Sequence, residues 1–191
     1  MHEIEPYYQW RDYYIASEDE LSPFFNRMYS EFEFKDKIYN FYIHPQWDNF
    51  GSSTLYCKLL FADYENEFCV LEMIGEWNDA VHNDIMEFKR AVIDPLVKEG
   101  IVKFIVIGEN VLNFHASDDL YYEEWFEDIK DEAGWIVFLN FRKHITDEMK
   151  ATGIQYYVQT GGIFSDLTWR KFKPNDLFVL VEDAIMRSLK P

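Results

Sequence analysis

At three places the chain passes from an acidic or polar, helix-like stretch through a glycine straight into an apolar run: Glu99-Gly100-Ile101, Ala133-Gly134-Trp135 and Thr152-Gly153-Ile154. Glycine takes the left-handed conformation that ends helices at least steric cost, and β-branched and aromatic runs suit a pleated, buried surface. Each junction therefore predicts a helix end followed at once by a strand. The rhythm constrains an architecture and leaves the chemistry open.

The rest of the chain supplies the elements around those junctions. Ser22 as cap, Pro23 at the first helical position and the spacing of Phe24, Phe25, Met28, Tyr29 and Phe32 predict a helix over about 23–33. A strand is expected over about 37–44, ended by His44-Pro45. Thr54–Phe61 and Phe68–Ile74 read as a hairpin joined by Asp63-Tyr64-Glu65-Asn66. Asn78 then caps a helix with the stripe Val81, Ile85, Phe88, Val92 and Leu96, which Pro95 is expected to kink near its end. Ile101–Ile107 and Trp135–Phe141 are apolar enough for strands buried on both faces.

Between those two strands, Asp118–Glu132 holds eight acids against Lys130 alone, with Leu120, Tyr121, Trp125 and Ile129 as the apolar stripe of a helix. Thr146 is expected to cap a short helix, and Gln155–Val158 to form a short edge strand. Asn175 opens a final helix through Leu177, Leu180, Val181, Ala184 and Ile185, with Arg187 and Lys190 near its negative end.

The order after residue 54 is strand, strand, then helix and strand in alternation to a last helix. It predicts an α/β fold, a mostly parallel or mixed sheet with an antiparallel hairpin at its start and helices covering it. Residues 54–191 are expected to form one core domain, and 1–53 an aromatic, acidic extension packed on it. Over roughly 54–190 this element order resembles the STAS domain, the fold of bacterial anti-sigma factor antagonists and SpoIIAA-like proteins. Regulatory members of that family carry an Asp-Ser-Ser/Thr-Gly-like phosphorylation loop after a buried strand. The corresponding stretch here, Gly108-Glu109-Asn110-Val111-Leu112-Asn113, has no hydroxyl to modify. The resemblance implies a small non-enzymatic bacterial module that works through protein contacts or an apolar ligand.

Charge narrows the partners. With 18 basic and 35 acidic residues the chain carries a net −17, which repels phosphate backbones and anionic membrane surfaces. No apolar run has the length to span a bilayer, and Met1-His2-Glu3-Ile4-Glu5 is acidic where an export leader is basic, so the cytoplasm is expected. Cys57 and Cys69 lie in the two hairpin strands. With Leu55, Cys57, Leu59 and Phe61 facing one core, Cys57 would oppose Leu71 and Cys69 would oppose Leu59, leaving the Cβ atoms roughly 7–8 Å apart and the thiols free.

Ligands of open parallel sheets bind beyond the carboxyl ends of the strands. Those ends are expected at Gly75-Glu76-Trp77, Gly108-Glu109-Asn110 and Asn140-Phe141-Arg142, where Ile-Gly-Glu recurs at positions 74 and 107. Glu76, Glu109, Asn110, His115 and Arg142 are thus candidate ligand-binding residues, with His82 and Asp118 as possible additions to a carboxylate cluster. The competing reading makes these glycines turns and these acids solvated. No nucleophile elbow, phosphate-cradling loop or helix-face histidine pair is present, so no cofactor, catalytic residue or metal ligand set is expected.

Two aromatic features bear on contacts. Tyr7, Tyr8 and Trp10 in the first segment, and Trp169 in Trp169-Arg170-Lys171-Phe172-Lys173, are candidate interaction surface, and the first segment equally suits the role of covering a sheet face. The basic run of the second is expected to dock on the acidic helix. The function expected is a non-catalytic, regulatory module that binds another protein or itself. The alternative is a small-molecule or divalent-metal protein, or an enzyme, with its site at the strand ends.

Overall fold

The computed structural model describes residues 3–188; Lys190 and the first two residues of the acidic start lie outside them. A two-stranded hairpin, β1 (Lys37–Ile38) and β2 (Phe41–Tyr42), precedes a five-stranded sheet in the order β3-β4-β5-β6-β7. Those strands are β3 (Leu55–Asp63), β4 (Phe68–Asn78), β5 (Lys103–His115), β6 (Trp135–Leu139) and β7 (Gln159–Thr160). β3 and β4 are antiparallel and every later pair is parallel. This is the mixed α/β sheet with an opening hairpin that the element order predicts.

From β4 onward the order advances one place at each crossover and never reverses. Crossovers of a single hand therefore put every connecting helix on one face. The helices are α1 (Asp79–His82), α2 (Asp84–Phe88), α3 (Asp94–Lys98), α4 (Leu120–Ile129) and α5 (Lys143–Ala151). Ile85, Phe88, Leu96, Tyr122, Trp125, Ile129, Ile145 and Met149 from these helices pack on Cys69, Leu71, Met73, Phe104, Val106 and Phe138. The opposite face, with Phe68, Val70, Ile105, Ile107, Val137 and Leu139, is covered by α6 (Pro174–Ser188) and by Trp10 and Trp169.

The three glycine junctions separate into two physical cases. Gly100 and Gly153 take φ of +94° and +83° and supply the left-handed turn. At the middle junction Ala133 takes that turn, with φ +56°, and Gly134 is needed for space: a Cβ there would lie 2.6 Å from the carbonyl oxygens of Ile129 and Val102. The third junction leads into a single 3-10 turn, Ile154–Tyr156, so the last strand falls at Gln159–Thr160 rather than Gln155–Val158.

Other expectations change for local reasons. The 23–33 helix does not form, because Asn26 takes a left-handed φ of +59° and its amide turns to Ser17 O. The single 37–44 strand is a hairpin that turns at Tyr39, φ +54°. In β3 a bulge between Leu59 and Phe61 sends Phe61 to the α6 face, and the register pairs Cys57 with Met73 and Cys69 with Ala62. Both thiols are free and buried, and burial pushes their pKa values up. Thr146 lies inside α5, its hydroxyl donating to Lys143 O, while Arg142 holds the N-cap position.

The helical stretch after Asn83 reaches Pro95, the second residue of α3, through one π turn, Lys89–Ile93, whose wider winding precedes the proline. The wide turn carries Lys89 into the interior. Its ammonium contacts Asp94, Asp128 and Glu124, and Arg90 pairs with Asp94 and Glu124. The acidic helix α4 is thus clamped by these two cations, and the 169–173 run docks elsewhere.

Glycine substitutions test the two junction types. Gly134→Ala, blocked by backbone on two sides, should cost about 3 kcal/mol by denaturant unfolding, and Gly100→Ala, strained in φ but open in space, about 1 kcal/mol. Equal costs would contradict the spatial role given to Gly134.

Candidate functional site

Strands β4 and β5 run past the positions where the sequence places their ends. Gly75-Glu76-Trp77 lies within β4, and Gly108–Asn113, compared above with a loop, lies within β5. The parallel register pairs Glu76 with Asn113 and Ile74 with Asn110, so the two Ile-Gly-Glu echoes are staggered along the strands. Glu76 instead accepts from Tyr39 Oη at 2.7 Å and from Asn113 Nδ2 at 3.2 Å. His115 ends β5 in solvent, and Arg142 is exposed at the start of α5.

Glu109 and Asn110 do meet a carboxylate, that of Glu72. Glu72 is 1% exposed on the α6 face, between the apolar cluster under α6 and a smaller one of Ile38, Ile43, Trp47, Tyr56 and Ile74 under the β1–β2 hairpin. The Tyr7 amide donates to its Oε2 at 2.8 Å, Asn110 Nδ2 stands 3.5 Å from Oε1, and Arg170 Nη2 lies 3.4 Å from Oε1. Arg170 also bonds Glu109 through Nη1. The Trp169 indole and Asn140 Nδ2 donate to Glu109 Oε1 at 2.8 and 2.7 Å.

Arg170, with its rings, closes this centre from above. Its guanidinium lies 4.5 Å from the Trp169 ring centroid, and Tyr7, Trp10 and Trp169 stack edge to face with centroids 4.8–5.5 Å apart. The first segment is fixed along its length: Trp47 Nε1 donates to Ile4 O, Tyr7 Oη to Arg170 O and Trp10 Nε1 to Phe172 O. Trp10 and Trp169 are therefore interior, Tyr7 is half-buried, and Tyr8, 52% exposed, faces solvent.

Burial raises the pKa of Glu72 to about 7, against the pull of the Tyr7 amide and Arg170, with Glu109 adding to the rise. Asp79, on the helix-covered face, is likewise raised to about 7 by burial. Tyr122 Oη, the Ile85 amide and Trp77 Nε1 donate to it and oppose the rise, while Asp84 adds to it. Two carboxyl groups in the fold thus change charge near neutrality.

Sequence reading missed Glu72, Asn140 and the destination of Arg170. One signal was present: a single acid alternating with Phe68, Val70 and Ile74 in an otherwise apolar strand marks a carboxylate on an interior face. Among the described residues, no group of three or more His, Cys, Asp and Glu side chains is arranged to hold a metal ion. None of their helices is long and apolar enough to cross a membrane.

These features define a mixed α/β domain whose second sheet face is closed by the two ends of the chain over a buried carboxylate–arginine centre. No protein-family model matches the sequence, and no curated protein matches it. Among solved structures, the phosphorylated form of the Bacillus cell fate determinant SpoIIAA aligns with 56% of this chain and 91% of its own, at 12% identity and a TM-score of 0.40.

The raised carboxyls give a signed pH dependence. Each binds its proton more tightly in the folded state than in the unfolded chain, so stability should fall as pH rises from about 4 to about 7 and level off above. Each contributes at most about 1.4 kcal/mol per pH unit. Glu72→Gln and Asp79→Asn should each flatten urea-unfolding stability across that window; a slope unchanged in both variants would refute the assignment.

Proposed function

We propose that this protein is a cytoplasmic, non-catalytic α/β module of regulatory kind that acts by binding another protein. The observation that carries the reading is apolar side-chain surface, mostly aromatic, left in solvent on one segment. Met28 is 97% exposed, Phe32 86% and Phe41 61%, and Tyr39 and Tyr42 beside Phe41 are exposed as well. Large apolar side chains exposed to this degree on one segment suit a contact site.

Charge supports the position. Between residues 25 and 42 three cations, Arg27, Lys35 and Lys37, balance Glu31, Glu33 and Asp36, while the whole chain carries −17. The aromatic segment is neutral ground on an acidic protein. A second copy would bring the same −17, so the fitting partner is a different protein with an apolar cleft in basic surroundings. Of the four aromatic residues the sequence nominates for contact, Tyr8 keeps a ring free for it.

A Phe32→Ser, Phe41→Ser double variant tests this, since neither side chain is buried. Immobilised wild-type protein should retain, from lysate of its source cells, a partner that is released by raised salt and is absent with the double variant; light scattering should show the free protein monomeric. Identical retention by wild type and variant would refute the assignment of this surface.

A further inference from the structure

Where the first segment passes the outer edge of the sheet it leaves a cleft of about 60 Å³ against β3. Trp10, Ile15, Leu59 and Leu60 make its apolar wall, and Arg11, Gln46, Tyr29 and Lys58 its polar side. This cleft shares Tyr7 and Trp10 with the cover of the Glu72 centre but holds neither Glu72, Glu109 nor Arg170, and it does not include the exposed Met28, Phe32, Tyr39, Phe41 and Tyr42.

The charges around it do not balance. Asp48, fully buried, serves Lys58 Nζ at 3.1 Å, Arg27 Nη1 at 3.3 Å and Tyr29 Oη at 2.6 Å. The Lys58 ammonium also stands 3.6 Å from the Tyr29 ring centroid. Arg11 reaches Gln46 Oε1 at 3.3 Å, and among the described residues no carboxylate pairs with it. Two cations thus share Asp48, and the Arg11 guanidinium beside them has only the neutral Gln46 as partner. Burial holds the Lys58 pKa below the ordinary lysine value against the pull of Asp48, and the Arg11 charge adds to the lowering.

We propose that this cleft binds a short-chain carboxylate, its carboxylate group on the Arg11 guanidinium and beside Lys58, its alkyl chain against Trp10 and Leu60. Guanidinium presents paired donors that match a carboxylate, and the incoming anion supplies the negative charge the site lacks. At ~10–15 Å³ of space for the centre of each water, the cleft has room for about four to six waters, which restricts the acid to a few heavy atoms.

The test is thermal shift and calorimetry of the full chain with sodium butyrate at constant ionic strength, with 1-butanol and sodium phosphate in parallel. Butyrate should raise Tm saturably while the other two do not. Arg11→Gln, a change at an exposed side chain, should weaken butyrate binding about tenfold, and Arg11→Lys should weaken it less. Absence of saturation, an equal response to butanol or phosphate, or unchanged affinity in Arg11→Gln would each overturn the proposal.

Discussion

The architecture follows from a strand order that never turns back. With β4, β5, β6 and β7 added one after another in the same direction, each right-handed crossover delivers its helix to the same face. A sheet of Val, Ile, Leu and Phe cannot leave its other face in water. The segments before β3 and after β7 cover it: the first supplies Tyr7, Trp10 and the β1–β2 hairpin with Trp47, and the second supplies Trp169 and α6. Part of the aromatic content near the start, Tyr7, Trp10 and Trp47, is the material of that cover.

A face closed in this way must also accommodate the polar groups it traps. Glu72 sits between two apolar clusters, where a carboxylate without partners would cost several kcal/mol. The Tyr7 amide and Arg170 reach it from the two ends of the chain, and Glu109 shares the same arginine. One side chain in the middle of a strand therefore holds both ends of the chain in place. Conformational specificity of this sort is a recognised use of buried polar groups, although apolar substitutes of equal shape often match them in stability.

Much of the sheet was legible because buried strands and helix stripes carry their own periodicity. The Ile101–Ile107 and Trp135–Phe141 runs, the hairpin with its loop at Tyr64 and Glu65, and α6 all stand close to their expected places. Elements set by single left-handed residues, Asn26 and Tyr39, were not legible, since such a turn leaves no periodic trace. The candidate site shifted because β4 and β5 continue beyond their apolar stretches: pairing Gly75 with Val111 and Glu76 with Asn113 satisfies the backbone whatever the side chains are. Glu109 and Asn110 remained at a polar centre, whereas Glu76, His115 and Arg142 went elsewhere because the stagger separates strand positions that look equivalent in sequence.

The cover on the second face also sets an order of events. The bond from Trp10 to Phe172 O spans 162 residues, and Trp10 has no seat until Trp169 and α6 have been made. On a ribosome the helix-covered face can consolidate as its βα units emerge, while the aromatic first segment waits until residues 169–188 have followed. Until then one side of the nascent sheet is bare and the rings meant to shield it are loose, so the emergence of α6 is what ends that face's exposure to wrong partners.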